Sequence, residues 1–337
     1  MPEPRLYVAG LGMISALAIG APFNAAAMRC GYSGAERLSE HQDRIVAQAP
    51  LPGQQRGSAR LADMTCQVIR EALQGLPDGH QTALYMGTET TDRLRDPCPN
   101  LPQLLHKQLD QQNLSYAIDY NHAGHVPHGR ISFARAIQAA QADHARHAYA
   151  LIVGISSCLY PQHLNYYHGL GRLLGPDNPD AFIPGEAATA ILLTTQAPDT
   201  PTSAICGAGF GTEPHPISGQ QPVTGDGLTA AIRAAETASG ITSDATDFRL
   251  SSASGEAYFF RELSIAQGRT LHDPKPEHPL WHPADHIGEV GAAVGGAIVV
   301  MAHYAFVKGY APGPRALAQL SNDDAQRAAF VLERTQP

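Results

Sequence analysis

Apolar positions along the chain switch repeatedly between strand-like runs and helical spacing. Leu6-Tyr7-Val8-Ala9-Gly10-Leu11-Gly12 reads as a short strand running into a glycine turn. Leu61, Met64, Val68 and Ala72 then share one helical face, which predicts a helix over about 59–76. A strand at Ala83-Leu84-Tyr85-Met86, a helix over 131–142 and strands at 150–153 and 189–193 follow. The order then recurs. Ile205-Cys206-Gly207-Ala208-Gly209-Phe210-Gly211 echoes the opening, followed by a helix over 227–239, a strand at 248–250, a helix over 288–307 and a strand at 329–332.

Alternating strands and helices argue for parallel strands covered by helices, an α/β class. The repeat occurs twice with a long unit, so it is a duplication and not a solenoid. The expected division is 1–197 and 202–337, joined by the Pro-rich stretch from Ala197 to Pro201. The length of 337 residues also favours two packed halves over one.

Composition narrows the function classes. With 43% hydrophobic and 16% charged residues the chain builds a large core and is not disordered. A net charge of −8 with no basic run excludes a nucleic-acid footprint. No apolar stretch reaches the length of a membrane span, about 18 residues, and the start has no signal-peptide pattern. Five cysteines without a CxxC pair are read as reduced thiols, which places the protein in the cytoplasm.

Several pieces resemble the β-ketoacyl synthases. VAGLGMISALAIG at 8–20 is similar to their "TGLG-VSPLG" start, Arg29-Cys30-Gly31-Tyr32-Ser33-Gly34 to "AGRSG", and Phe182-Ile183-Pro184-Gly185-Glu186-Ala187-Ala188 to "F-x-GEGA". His286-Ile287-Gly288-Glu289-Val290-Gly291-Ala292-Ala293 is similar to their "IGH…GAAG". The pieces occur in order over nearly the whole chain. The resemblance implies the thiolase fold, two pseudo-symmetric halves in α/β/α/β/α layers, and a dimer.

It also implies that the catalytic groups are gone. In that family a Cys at a helix N-terminus, where the dipole favours the thiolate, works with two His and often a Lys. Here the Cys position falls on Gly129 or Arg130, the first His on Ser252 or Ser254, the second His on Glu289 and the Lys near Ala284. The gating "GFGG" loop aligns with Asn322-Asp323-Asp324-Ala325-Gln326. A carboxylate at 289 cannot donate to a thioester carbonyl unless burial keeps it protonated. As a structural feature, Glu289 is expected in the first turn of a helix, where negative charge is favourable.

Other candidates are weaker. His122, His125 and His128 lie in a Gly- and Pro-containing stretch read as a loop with no ligand carboxylate adjacent, so no metal is expected there. His125 and His128 are read as pocket-lining. His278, His282 and His286 have helical spacing, but Pro279 and Pro283 break the helix. Cys158 follows a strand without the G-x-S-x-G pattern and reads as a buried thiol. The glycines from 288 to 296 read as a close-packing surface.

Three functions follow from these readings. One is a non-enzymatic, dimerising accessory that binds a protein partner. SGEAYFFRE, LWHPADHIGEVGAA and KGYAPGP are similar to a bacterial ketosynthase-like group associated with type VI secretion effectors, which implies effector handling. The second is a chain-length-factor-like subunit beside an active ketosynthase, in polyketide, aryl-polyene or fatty-acid-type synthesis, with an acyl carrier protein as a further partner. The third is a divergent acyltransferase using Glu289, Ser252 or Ser254 and a His such as His128. No cofactor is expected in any of them.

Overall fold

The computed structural model describes residues 3–41, 44–51, 56–90, 100–219, 221–273 and 275–336. Cys98 lies outside them. The first half contains β1 (Leu6–Ser15), β2 (Ala18–Ile19), α1 (Ala21–Arg29), β3 (Glu36–Leu38), β4 (Arg44–Val46), α2 (Gly57–Ala72), β5 (Thr82–Gly87) and α3 (Leu101–Gln111). It continues with β6 (Ile118–Val126), α4 (Ser132–Asp143), β7 (Tyr149–Ser157), α5 (Pro161–Gly169) and β8 (Glu186–Thr194). The second half contains β9 (Thr202–Thr212), α6 (Asp226–Ser239), β10 (Phe248–Ser251), α7 (Ala257–Thr270), β11 (Leu280–Trp281) and α8 (Ala284–Ile287). It closes with α9 (Val294–Val307), β12 (Arg315–Ser321) and β13 (Gln326–Thr335).

The strands lie in the order β11-β10-β12-β13-β9-β1-β8-β7-β5-β6. This order is symmetric about the β9–β1 junction, so the five strands on each side have counterparts on the other, while β2 and the β3–β4 pair lie off this path. The two halves pair there only through Leu6 with Ile205 and Tyr7 with Ala204. Each half mixes parallel pairs, such as β5–β7 and β10–β12, with antiparallel ones, such as β7–β8 and β12–β13.

Strand alternation builds the layers. On β8, Ala187, Ile191 and Leu193 face a central cluster containing α4 and α9, while Ala188, Ala190 and Leu192 face α2 and α3. On β13, Ala328, Phe330 and Leu332 enter the same central cluster, while Ala329 and Val331 face α6 and α7. Both strand faces are therefore covered, and the result is helix, sheet, helix, sheet, helix. α9 is apolar around most of its circumference because it is buried between the sheets.

The opening glycines are not a turn. β1 continues through Gly10 and Gly12 to Ser15, and β9 continues through Gly207, Gly209 and Gly211. A Cβ on Gly10 would lie 2.0 Å from the Ala72 carbonyl oxygen, and one on Gly209 would lie 2.2 Å from the Ala235 nitrogen. The glycines mark where α2 and α6 press directly onto the strands. The glycine echo is thus a repeated packing contact, misread as a turn because glycine commonly punctuates turns. Gly295 and Gly296 follow the packing reading: a Cβ on each would meet Phe133 and Thr189 side chains.

Two further readings are corrected here. The last central helix begins at Val294, not Gly288, after a 3-10 turn over Gly291–Ala293. His122 and His125 lie on β6 and not in a loop. No helix among the described residues is long and apolar enough to cross a membrane.

Gly209→Val is expected to destabilise the protein by at least about 1–3 kcal/mol, the cost of overpacking a close contact. Urea unfolding checks this, with the midpoint shifting at an unchanged slope.

Candidate functional site

The two central helices begin alike. Each follows a 3-10 turn whose first glycine has positive φ, Gly129 at 57° before α4 and Gly291 at 48° before α9. These turns face one another across a cavity lined by Glu89, Gly129, Arg130, Cys158, Tyr167 and Glu289, with Asp323 from the β12–β13 connection.

Arg130 occupies the middle of this site. Its side chain is only 7% exposed. Nε and Nη2 bind Glu289 Oε2 at 2.9 and 2.7 Å, and Nη1 binds Asp323 Oδ1 at 2.8 Å and the Ser321 carbonyl at 3.2 Å. Asp323 also accepts from Arg172, at 2.8 Å through Oδ2, and Arg172 makes a two-bond fork to Glu256 at 2.6 and 2.7 Å. The result is a continuous chain, Glu289–Arg130–Asp323–Arg172–Glu256, whose members are buried or nearly so.

Backbone geometry fixes both ends. Glu289 sits in extended backbone, donating its N–H to the Ile183 carbonyl at 2.7 Å and accepting from Gly185 N at 2.9 Å. It precedes α9 by five positions and so is not in its first turn, although its carboxylate accepts from Gly291 N at 2.8 Å at the start of the 3-10 turn that leads into α9. Asp323 rides on a loop braced by Arg327, which donates to the carbonyls of Asn322, Asp324 and Gln326. Arg327 is itself fully buried against Glu262 at 2.6 Å. The "F-x-GEGA"-like piece has a scaffold role too, since Glu186 accepts from Arg60 and from Ala49 N.

The electrostatics follow from the pairing. Burial pushes the Glu289 carboxyl up, but Arg130, the Gly291 N–H at 2.8 Å and Ser254 outweigh it and hold the group below its usual range. Glu289 is therefore a carboxylate, not the neutral acid that carbonyl polarisation requires. Burial alone would ease the proton off Arg130, but the Glu289 charge reverses this and keeps the guanidinium charged. The Cys158 thiol is raised well above normal, by burial first and then by the Glu289 and Glu89 charges. Such a thiol is inert as a nucleophile. Glu89 accepts from Ser156 Oγ at 2.6 Å and from Ala292 N at 3.1 Å.

The remaining open volume is about 40 Å³. Among the described residues this admits a few water molecules at about 10–15 Å³ of probe space each.

Gly129, Arg130 and Glu289 line one cavity, and Ser254 lies beside Glu289. Ser252 is turned away and accepts from Ser321 N at 3.0 Å. Ala284 opens α8 and is not among the cavity residues. His125 binds the Thr88 hydroxyl at 2.7 Å and lines a different, apolar pocket with Leu84 and Leu105. His128 contributes its carbonyl, which accepts from Asn322 Nδ2 at 2.9 Å, while its ring is not among the cavity lining. His125 thus lines a pocket other than the Arg130 cavity, and His128 is not among the residues lining that cavity. Asp323 fell within the stretch compared with the gating loop, but its charge went unused. Arg172, Glu256 and Glu89 were missed, because contacts across 67 or more positions leave no local periodicity.

No protein-family profile matches the chain, and no curated protein matches it. Solved structures do. One is a chain of AntDE:AntF, a type II PKS acyl-carrier protein in complex with its ketosynthase bound to the hexaketide. It aligns at TM-score 0.77 and 15% identity, over 99% of this chain and 100% of that one. The chain has the thiolase fold. The ishigamide ketosynthase/chain length factor aligns at 0.77 and 15% over 98% and 99% of the two chains. A β-ketoacyl synthase from Burkholderia phymatum STM815 aligns at 0.77 and 12% over 99% and 100%. At such identities the likeness is one of fold, so the chemistry of this thiolase-fold cleft rests on its own residues.

Arg130→Ala is expected to cost about 3–5 kcal/mol, because it strands Glu289 and Asp323 as buried, unpaired charges; calorimetry or denaturant titration measures it. The depressed carboxyl also sets a pH signature. Its stabilising share is fully present above the unfolded value near 4.5 and is lost as pH falls through the lower folded value. The stability gap between wild type and Glu289→Gln should stay level at neutral pH and close as pH drops below about 4.5.

Proposed function

We propose that this protein is a catalytically silent, ketosynthase-like subunit that works by pairing with a ketosynthase-like chain, on the model of a chain length factor. The observation that carries the reading is Arg130. It is one of the two positions, with Gly129, to which the resemblance assigns the nucleophile, and it is held there by two carboxylates. A guanidinium has no nucleophilic lone pair at any accessible pH. The position assigned to one catalytic His carries an ionised Glu289 whose two oxygens accept from Arg130 and the Gly291 N–H.

Three further points support a paired role. Strand β6 forms one margin of the sheet, so its outer backbone edge is placed to meet another chain. Several thiolase-fold proteins it resembles are described as ketosynthases with a chain length factor, or with an acyl-carrier protein. Those descriptions favour a ketosynthase-like or carrier partner over a secretion effector, the partner implied by the narrower sequence resemblance. The bonding of Ser252 and Glu289 also weighs against a divergent acyltransferase, because both side chains are committed to internal partners.

Co-expression with a Cys-containing ketosynthase encoded beside it is the test. A stable one-to-one complex on size-exclusion chromatography is expected. Elution of the two proteins separately, under conditions that preserve related pairs, overturns the proposal. Co-elution with a secretion effector instead returns the accessory reading to first place.

A further inference from the structure

Strand β6 carries an irregularity with a chemical consequence. Ala83 pairs with Asp119, but Tyr85 pairs with Gly124, so two steps along β5 match five along β6. The surplus forms a bulge over 120–123. In a regular strand, residues three apart face opposite sides. Bulges re-aim side chains, and here the bulge brings His122 Nδ1 to 2.7 Å from Asp119 Oδ2.

A third donor arrives from elsewhere. His147, in the connection from α4 to β7, lies against His122 with ring centroids 4.4 Å apart. Its Nε2 is 4.0 Å from the same Asp119 oxygen. One ligand atom from each of the three residues falls within 4.8 Å of the others. Donors about 2.0–2.1 Å from a tetrahedral zinc ion lie roughly 3.4 Å from one another. The observed 2.7 and 4.0 Å straddle that spacing. A separate observation points the same way: His147 Nε2 is buried and has no hydrogen-bond partner among the described residues. A buried ring nitrogen without a partner is costly, and a metal ion satisfies it.

We propose that Asp119, His122 and His147 form a zinc(II) site that ties the bulge of β6 to the α4–β7 connection. Two imidazoles and one carboxylate are a ligand set suited to this ion. His122 is 38% exposed, which leaves the fourth position open to water. None of the three residues lines the Arg130 cavity, so the site is separate from the silent cleft. It also reverses the expectation of no metal, which rested on treating the histidines as a loop without a carboxylate.

The test is titration of the full-length, chelator-treated protein with zinc chloride against a chromophoric competitor. The wild type is expected to bind one saturable equivalent and to gain thermal stability with rising zinc. His122→Ala and Asp119→Asn should each weaken that equivalent by at least about 10–100-fold, the loss that changes to mere outer-shell partners already produce. His125→Ala, on the same strand but bonded to Thr88, should bind as wild type does. Circular dichroism confirms that each variant is folded, and the exposed His122 is the variant least able to disturb the core. Absence of saturable binding in the wild type overturns the proposal, as does undiminished affinity in folded His122→Ala.

Discussion

The structure around the cleft depends on one requirement: a guanidinium removed from water must be met by charge. Moving such an ion into the interior costs several kcal/mol after relaxation, and only well-placed partners offset it. Arg130 obtains Glu289 and Asp323 within 2.9 Å. Asp323 in turn brings in Arg172 and, through it, Glu256. The chain of charges joins the segment before α4, the segment before α9, the β12–β13 loop and the stretches flanking α5 and α7. Removing its central member would unbalance all of them at once.

That requirement accounts for the identity of residue 289. Opposite a cation at 130, a histidine would add repulsion or lose its proton, whereas a carboxylate completes the pair. Glu289 is thus the counter-charge that makes Arg130 tolerable. Burial first, and then the Glu289 and Glu89 charges, raise the Cys158 thiol. The thiol of Cys158 and the ion pair of Arg130 with Glu289 share the cavity, the thiol kept protonated and the pair kept charged. What persists is the thiolase scaffold, with its close strand–helix contacts at Gly10 and Gly209 and its buried α9.

Much of this was legible from residue order. Helical spacing placed α2 and α6, where one face is buried, and continuous apolar runs placed β5 and β13, which are buried on both faces. The glycine echo at 9–12 and 208–211 revealed the duplication while its physical meaning was misassigned. Close approach between a strand and a helix leaves the same residue signature as a turn. Arg130 and Glu289 were picked out by comparison with an "IGH"-type motif and a helix start. Their pairing was not, since nothing local ties positions 159 apart. The β6 bulge was equally hidden: a register shift depends on the neighbouring strand, and only that shift sets Asp119 beside His122.

The central claim is that the cleft is held closed to acyl chemistry by Arg130 and its carboxylates. Intact-mass and peptide mass spectrometry after incubation of the purified protein alone with acyl and malonyl thioesters tests it most directly. No adduct on Cys158, Ser252 or Ser254 and no condensation product is the result the account predicts. An acyl group covalently attached within the cleft, or turnover to a β-ketoacyl product with Arg130 and Glu289 intact, would contradict it.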